Sequence, residues 1–336
     1  MTARRSPRAI RSRVYGPVPS RRLGFSLGVD IVPFKTCSYD CVYCQLGPSR
    51  KTRTRRGLFA PAAEVVSQVR EVLKKKGPVD SITFSGSGEP TLHSGLGRMI
   101  REIKALTDVP VTVLTNGSLL ANRDVRRGLM SADRVIPSLD AATESVFRTV
   151  NRPHPSLRLD RVLQGLADFR REYKGLFWLE IMLVKGVNDS PAHISALKKA
   201  VARLRPDKVQ LNTVVRPPAE KGVKPLSSRT LERICRRFGT GCEIVTAFRG
   251  RAPKRSGSAD RERVLTLIRR RPATAEDLER SLGLPRKILD ALLTRLLERG
   301  GIRRVRHGGK EFFEPAIPCQ RRRRKAEYKK KGNASP

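Results

Sequence analysis

The 336-residue chain contains no run of 18 apolar residues, which excludes a membrane-spanning helix at the level of sequence. Its start, MTARRSPRAIRSR, lacks the apolar stretch of a secretory signal. Acid is scarce: 31 Asp and Glu stand against 70 Lys and Arg, a net charge of +39. The imbalance is spread along the chain, with 45 basic and 21 acidic residues in 1–250 and 25 and 10 in 251–336. Such an excess points to a polyanionic partner, most simply nucleic acid; an Arg-favouring genome is the bland alternative. Hydrophobic residues at 38% and charged residues at 30% fit a soluble chain long enough for about two domains. Six cysteines do not make a disulfide framework at this length, and three of them bunch at 37, 41 and 44. That grouping suggests metal chemistry in a reducing compartment, and a cytoplasmic location is expected.

Residues 1–22 carry seven Arg, three Pro and no acid, and read as a basic, largely solvated arm. From residue 23 the pattern becomes periodic. An apolar run at 24–34 ends at the cysteines and is followed by a basic loop, RKTRTRR, at 50–56. Residues 61–76 have helical spacing, with Val65, Val66, Val69, Val72 and Leu73 on one face. Strand-like runs follow at 81–86, 109–117, 134–140, 176–184, 208–215 and 242–248. Helical candidates alternate with them near 96–106, 121–129, 158–172, 190–203 and 227–238. Strands rich in Val, Ile and Leu suit a parallel sheet buried on both faces. Seven βα-spaced units predict an α/β fold, a full or partial (β/α) TIM-like barrel over 23–250, with a doubly wound sheet as the alternative. In either fold the functional groups collect at the C-terminal ends of the strands.

A Gly, Ser, Pro and charge-rich stretch predicts a linker at 251–260, and a second domain at 261–318. Its helices are expected at 261–271, after Thr274 with Asp277 in a capping-box position, and after Pro285. The third would bury Ile288, Leu289, Leu292, Leu293, Leu296 and Leu297, and Gly308-Gly309 marks a hairpin turn. Three helices and a hairpin form the winged-helix pattern, a module that binds nucleic acid or docks on protein. Arg286, Lys287, Arg295 and Arg299 of the third helix, and Arg303, Arg304, Arg306 and Lys310 of the hairpin, favour nucleic acid. The tail at 319–336 is basic and disordered by composition.

The segment TCSYDCVYC places Cys37, Cys41 and Cys44 at spacings that usually need a fourth ligand for zinc. None is near: the histidines are at 93, 154, 193 and 307 and the remaining cysteines at 235, 242 and 319. Three thiolates at a strand end leave one coordination position open, which in an iron–sulfur cluster admits a substrate or cofactor.

CSYDCVYC resembles the CxxxCxxC signature of the radical SAM superfamily, with an aromatic, Tyr43, just before the last cysteine. The resemblance implies that Cys37, Cys41 and Cys44 hold three irons of a [4Fe-4S] cluster while the fourth binds S-adenosylmethionine, with Tyr43 near the adenine. Reductive cleavage would yield methionine and a 5′-deoxyadenosyl radical, with an electron donor such as flavodoxin or ferredoxin. FSGSGEPT at 84–91 resembles the family's GGEP loop, with Ser87 in place of the usual glycine. Gly86, Gly88, Glu89 and Pro90 would then shape the methionine-binding edge. LTNG at 114–117 and SLDA at 138–141 resemble the family's strand-end sequences. They imply Asn116 as a cofactor or substrate contact, and Ser138 and Asp140 on the ribose and methionine side.

Within the superfamily, residues 14–47, with NRPH (151–154), EIMLVKGVND (180–189) and QLNTVVRPP (210–218), are similar to the group containing the tRNA wyosine-synthesis enzymes and their bacterial relatives. Wyosine synthases carry a further upstream cysteine set, and no Cys precedes Cys37 here, so wyosine synthesis itself is not implied. The pyruvate chemistry of wyosine synthases also calls for a lysine, for which Lys185 is a candidate, though a strand-end lysine more simply faces solvent. Glu180 would either meet an Arg or substrate amine inside the barrel or face outward; Arg216 would meet a substrate anion or an internal acid. Cys235, Cys242 and the remote Cys319 read as buried apolar residues rather than an auxiliary cluster. The leading expectation is a radical SAM enzyme that modifies RNA, favoured over DNA and most simply tRNA. One alternative is a peptide, protein or metabolite substrate with the winged helix as docking module, and another is a redox-sensing DNA-binding regulator.

Overall fold

The computed structural model describes residues 12–49, 51–75, 77–245 and 260–316. Eight strands form one sheet in sequential order: β1 (Val14–Ser20), β2 (Gly24–Val29), β3 (Ser81–Phe84), β4 (Val111–Thr115), β5 (Arg134–Pro137), β6 (Leu176–Leu183), β7 (Lys208–Thr213) and β8 (Cys242–Ile244). β1 and β2 are antiparallel and every later neighbour is parallel. A doubly wound sheet reverses its strand order at a switch point, and this one never does, so the chain adopts a partial (β/α) barrel.

The crossover helices are α1 (Ala62–Leu73), α2 (Leu96–Lys104), α3 (Arg123–Leu129), α4 (Glu144–Val150), α5 (Leu159–Glu172), α6 (Pro191–Leu204) and α7 (Ser228–Phe238). They form because apolar side chains recur at helical spacing: Val65, Val66 and Val69 of α1 and Met99, Ile100 and Ile103 of α2 are buried against the sheet. Asn122, Ser190 and Ser227 accept hydrogen bonds from the first-turn amides of α3, α6 and α7. A Cβ on Gly97 would come within 2.6 Å of the Gly128 Cα, so α2 and α3 pack backbone to backbone. Helix α4 had no counterpart among the expected elements; its seven residues place only Phe147 and Val150 in the core, too short a stripe to announce itself.

The expected arm through residue 22 is corrected for residues 14–20. Val14 and Val18 are buried, and β1 pairs with β2 from Val14 opposite Val29 to Ser20 opposite Gly24. Pairing with a neighbouring strand outweighed an Arg- and Pro-rich composition. Residues 1–11, most of the expected linker and the tail with Cys319 lie outside the described residues.

The C-terminal unit comprises α8 (Asp260–Arg270), α9 (Ala275–Leu282), α10 (Arg286–Glu298) and the antiparallel hairpin β9 (Ile302–His307) and β10 (Lys310–Pro315). Thr274 and Asp277 make the expected reciprocal capping box, and Gly308 and Gly309 both take positive φ in the turn. Leu289, Leu293 and Leu296 are buried, whereas Ile288 is 40% exposed, contrary to its expected place in the core. The unit has its own apolar core, which Val18 of β1 joins. Polar contacts add to that seam: Arg270 lies 3.6 Å from Asp30 and over the Tyr15 ring, and His307 meets the Val214 carbonyl at 3.1 Å. Among the described residues, no helix is long and apolar enough to cross a membrane.

Candidate active site

Cys37, Cys41 and Cys44 lie on the loop leaving the C-terminal end of β2, the first parallel strand. Two amides aim at two of the sulfurs: Asn116 Nδ2, just past β4, donates to Cys37 Sγ at 3.5 Å, and Asn151 Nδ2, just past α4, donates to Cys41 Sγ at 3.5 Å. Burial, then Glu89, pushes the Cys37 thiol up to about 12, and burial, then Asp140, raises Cys41 well above the usual thiol range. Without a bound cation these two thiols are neutral; metal binding would deprotonate them. Lys35 is buried beside them, its Nζ 3.5 Å from Asp40. Burial alone would lower its pKa, but Cys44 and then Asp40 outweigh burial and raise it. Among the described residues, no three His, Cys, Asp or Glu side chains close around a point as ligands of one ion would. Amide donors on two of the thiols and a buried ammonium beside them fit an anionic iron–sulfur cluster, whose thiolates would bind different irons.

The loop after β3 is stitched to the cysteine loop. Lys35 N–H donates to the Ser87 carbonyl at 2.6 Å, and Glu89 N–H donates to the Thr36 carbonyl at 2.9 Å. A Cβ on Gly88 would sit 2.0 Å from that Thr36 oxygen, so only glycine permits the contact. Gly86 takes φ +130 against Asp30. Ser87 ties the loop to β2, its hydroxyl and amide donating to the buried Asp30 carboxylate at 2.5 and 3.0 Å. The Glu89 carboxylate accepts from Thr91 N–H and hydroxyl, Thr115 hydroxyl and Asn116 N–H, all between 2.5 and 3.0 Å. Burial outweighs these donors and raises its pKa. Pro90 then opens a short 3-10 turn over Pro90–Leu92.

Asp140, just past β5, is the second hub. It accepts from the Tyr43 hydroxyl, from Asn151 Nδ2 at 2.7 Å and from Met182 N–H at 2.9 Å. Burial leads, and its pKa rises to about 6. Ser138 lies beside it on the same strand end, bridged through its backbone to Glu180, and its hydroxyl makes no hydrogen bond within the described residues. The expected residues thus converge at one end of the barrel. Glu89 and Asp140 are committed to protein donors, so they position the cysteine and Asn loops, while Ser138 keeps its hydroxyl available.

Glu180 faces inward and pairs with Arg22 at 2.6 Å, and Asn212 Nδ2 donates to it at 2.9 Å. Lys185 is exposed, as its simpler reading had it. Arg216 is buried near Asp277. Cys235 on α7 and Cys242 on β8 bring their sulfurs to 2.8 Å, a pairing that spacing alone did not indicate. Asn151 and Asn188, whose side chain bonds the Asp140 and Met182 carbonyls, were not singled out. Their signal was present in the NRPH and GVND runs.

Residues 31–196 match the model of the radical SAM superfamily. The chain belongs to that superfamily. It is a radical SAM enzyme, and the cofactors of this class are a [4Fe-4S] cluster and S-adenosylmethionine. The chain is 33% identical over 307 residues to a UPF0026 protein of Methanocaldococcus jannaschii, covering 89% of this chain and 94% of that one. It is also 38% identical over 294 residues to a protein named GTPase Obg in Brachyspira hyodysenteriae, covering 87% of this chain but 43% of that relative. The chain therefore spans less than half of that relative's length. The fold is similar to that of a radical SAM methyltransferase from Sphaerobacter thermophilus, with a TM-score of 0.50 and 21% identity over 65% of this chain and 66% of that one.

Proposed function

We propose that this radical SAM enzyme modifies RNA, with Cys37, Cys41 and Cys44 as cluster ligands and the C-terminal unit as a winged-helix domain that holds the polymer. When bound, the cluster supplies the electron that cleaves S-adenosylmethionine to methionine and a 5′-deoxyadenosyl radical. A flavodoxin- or ferredoxin-like protein is the proposed source of that electron. Asn116 and Asn151 orient the cysteine loop through their sulfur contacts. Gly86, Gly88, Glu89 and Pro90 hold the loop that would meet the methionine end of the cofactor. Tyr43, fixed by Asp140, offers its ring toward the adenine, and the Ser138 hydroxyl is available to the ribose.

The observation that carries the RNA reading is the basic loop beside the cysteines. Arg53 N–H donates to the Cys37 carbonyl at 2.8 Å, and Lys35, Lys51 and Arg53 line one hollow with Phe34, Thr36, Ser49 and Thr52. Phosphates drawn there would lie next to the reacting centre. On the C-terminal unit, Lys287, Arg295, Arg299, Arg306 and Lys310 are exposed, a pattern suited to the backbone of a nucleic acid. A second reading, a peptide or protein substrate with this unit as a docking element, is favoured by the buried seam through which the unit packs on β1.

The reconstituted enzyme, reduced under anaerobic conditions with S-adenosylmethionine, separates the two. Stimulation of 5′-deoxyadenosine formation by a cellular RNA fraction, lost after ribonuclease treatment, is the expected result. Stimulation by a protein fraction alone would overturn the RNA assignment.

A further inference from the structure

The seam between barrel and C-terminal unit gathers more base than acid. The turn after β1 carries Arg21 and Arg22 to strands β6 and β7. Arg22 is paired with Glu180, while Arg21 donates to the neutral Asn212 amide oxygen at 3.2 Å. Arg216, just past β7, is 8% exposed, and its Nη2 stands 3.6 Å from Asp277 Oδ2, longer than a hydrogen bond. That same oxygen also caps α9 by accepting from Thr274 N–H. Arg216 Nε is buried without a hydrogen-bond partner. Arg271, at the end of α8, acts electrostatically on both Arg21 and Arg216, and its side chain has no hydrogen bond or ion pair within the described residues. Arg21, Arg22, Arg216 and Arg271 therefore face Glu180 and Asp277, which leaves two positive charges uncompensated.

Only Arg216 of the four is buried and the others are part-buried, but drawing such an excess even partly out of water is costly unless an anion joins it. The titration behaviour agrees: burial and then neighbouring arginines lower Arg216 to about 9 and Arg21 to about 10. We propose that Arg21, Arg216 and Arg271 form a binding site for a phosphate group of the substrate. A phosphate carries up to two negative charges and enough oxygens to bridge guanidinium forks from three elements, whereas a carboxylate would leave one charge uncompensated. The site is linked to the strand end that carries Asp140, because Asn212 joins Arg21 to Glu180, and Glu180 is bridged to Ser138 beside Asp140. A substrate anchored there by phosphate can extend its reactive part toward the cysteine loop. The anion site does not depend on the substrate being RNA.

Calorimetric titration of the anaerobic full-length holoenzyme with inorganic phosphate, at fixed ionic strength, tests the site. One saturable phosphate per chain is expected. Arg271→Met, on a partly exposed side chain without partners, should keep the fold and weaken binding about tenfold, the loss of one charge-assisted contact. Arg216→Met should weaken it further, and Arg216→Lys should restore part of the affinity. No saturable heat, or wild-type affinity in folded Arg271→Met, would overturn the site. Competition then identifies the source of the phosphate. Displacement by RNA supports a polymer anchor. Displacement by adenosine 5′-monophosphate but not by RNA leaves the site standing and overturns the RNA assignment. Displacement by neither overturns its role in holding substrate.

Discussion

Two polar centres of the molecule are built on opposite principles. Around Glu89 and Asp140, buried acids are met by donors from the protein: four hydrogen bonds reach Glu89, and three reach Asp140. At the seam with the C-terminal unit, the buried Arg216 and the part-buried Arg21, Arg22 and Arg271 outnumber the acids that face them, and Arg216 Nε has no hydrogen-bond partner. A satisfied centre fixes geometry, and an unsatisfied one invites a ligand. The first therefore serves as scaffold for the cysteine loop, and the second is the site proposed to hold part of a substrate.

Substitutions can break this contrast. The largest effect is expected at Glu89→Ala, which strands four buried donors; chemical denaturation should show a loss of about 4 kcal/mol, together with poor iron retention. Unchanged stability would mean that the hub is not a brace. Arg22→Met should cost about 3 kcal/mol by leaving Glu180 charged and unpaired, and most of that loss should return in the Arg22→Met, Glu180→Leu double variant. A double variant as unstable as the single one would contradict the pairing.

Asp140 gives the contrast a pH signature. Its folded pKa of about 6 lies above the ordinary 3.8, so the folded state binds the proton more tightly. The resulting stabilisation is complete below the ordinary value and is lost as pH rises through about 6. Urea midpoints of the cluster-free chain should fall across that window, and Asp140→Asn should flatten the trend. The smallest effect belongs to the exposed surface of α10. Lys287→Ala should leave stability within about 0.5 kcal/mol and lower the salt dependence of RNA binding by about one unit of slope. An unchanged slope would remove this helix from the RNA interface.

What could be read in advance was local. The cysteine spacing, the Gly86–Pro90 loop, the strand ends at Asn116 and Asp140, the Thr274 capping box and the Gly308-Gly309 turn all depend on residues within a few positions of one another. What could not be read depends on distant partners. Arg22 meets Glu180 across the barrel, Asn151 reaches Cys41, and Cys235 meets Cys242 only after α7 and β8 pack. The Arg-rich start shows the limit clearly, since the residues that resembled an arm supply both strand β1 and two cations of the seam. Composition records charge, and only the fold decides whether that charge is solvated or buried.

On the proposed assignment, Cys37, Cys41 and Cys44 hold the cluster at which S-adenosylmethionine is cleaved. Anaerobic reconstitution of the wild type and Cys41→Ala, with iron, sulfide and 5′-deoxyadenosine measured on the same samples, tests it most directly. A loaded, 5′-deoxyadenosine-forming wild type and a folded variant that has lost both cluster and product are expected. A Cys41→Ala protein that keeps its iron and still forms 5′-deoxyadenosine would contradict that assignment.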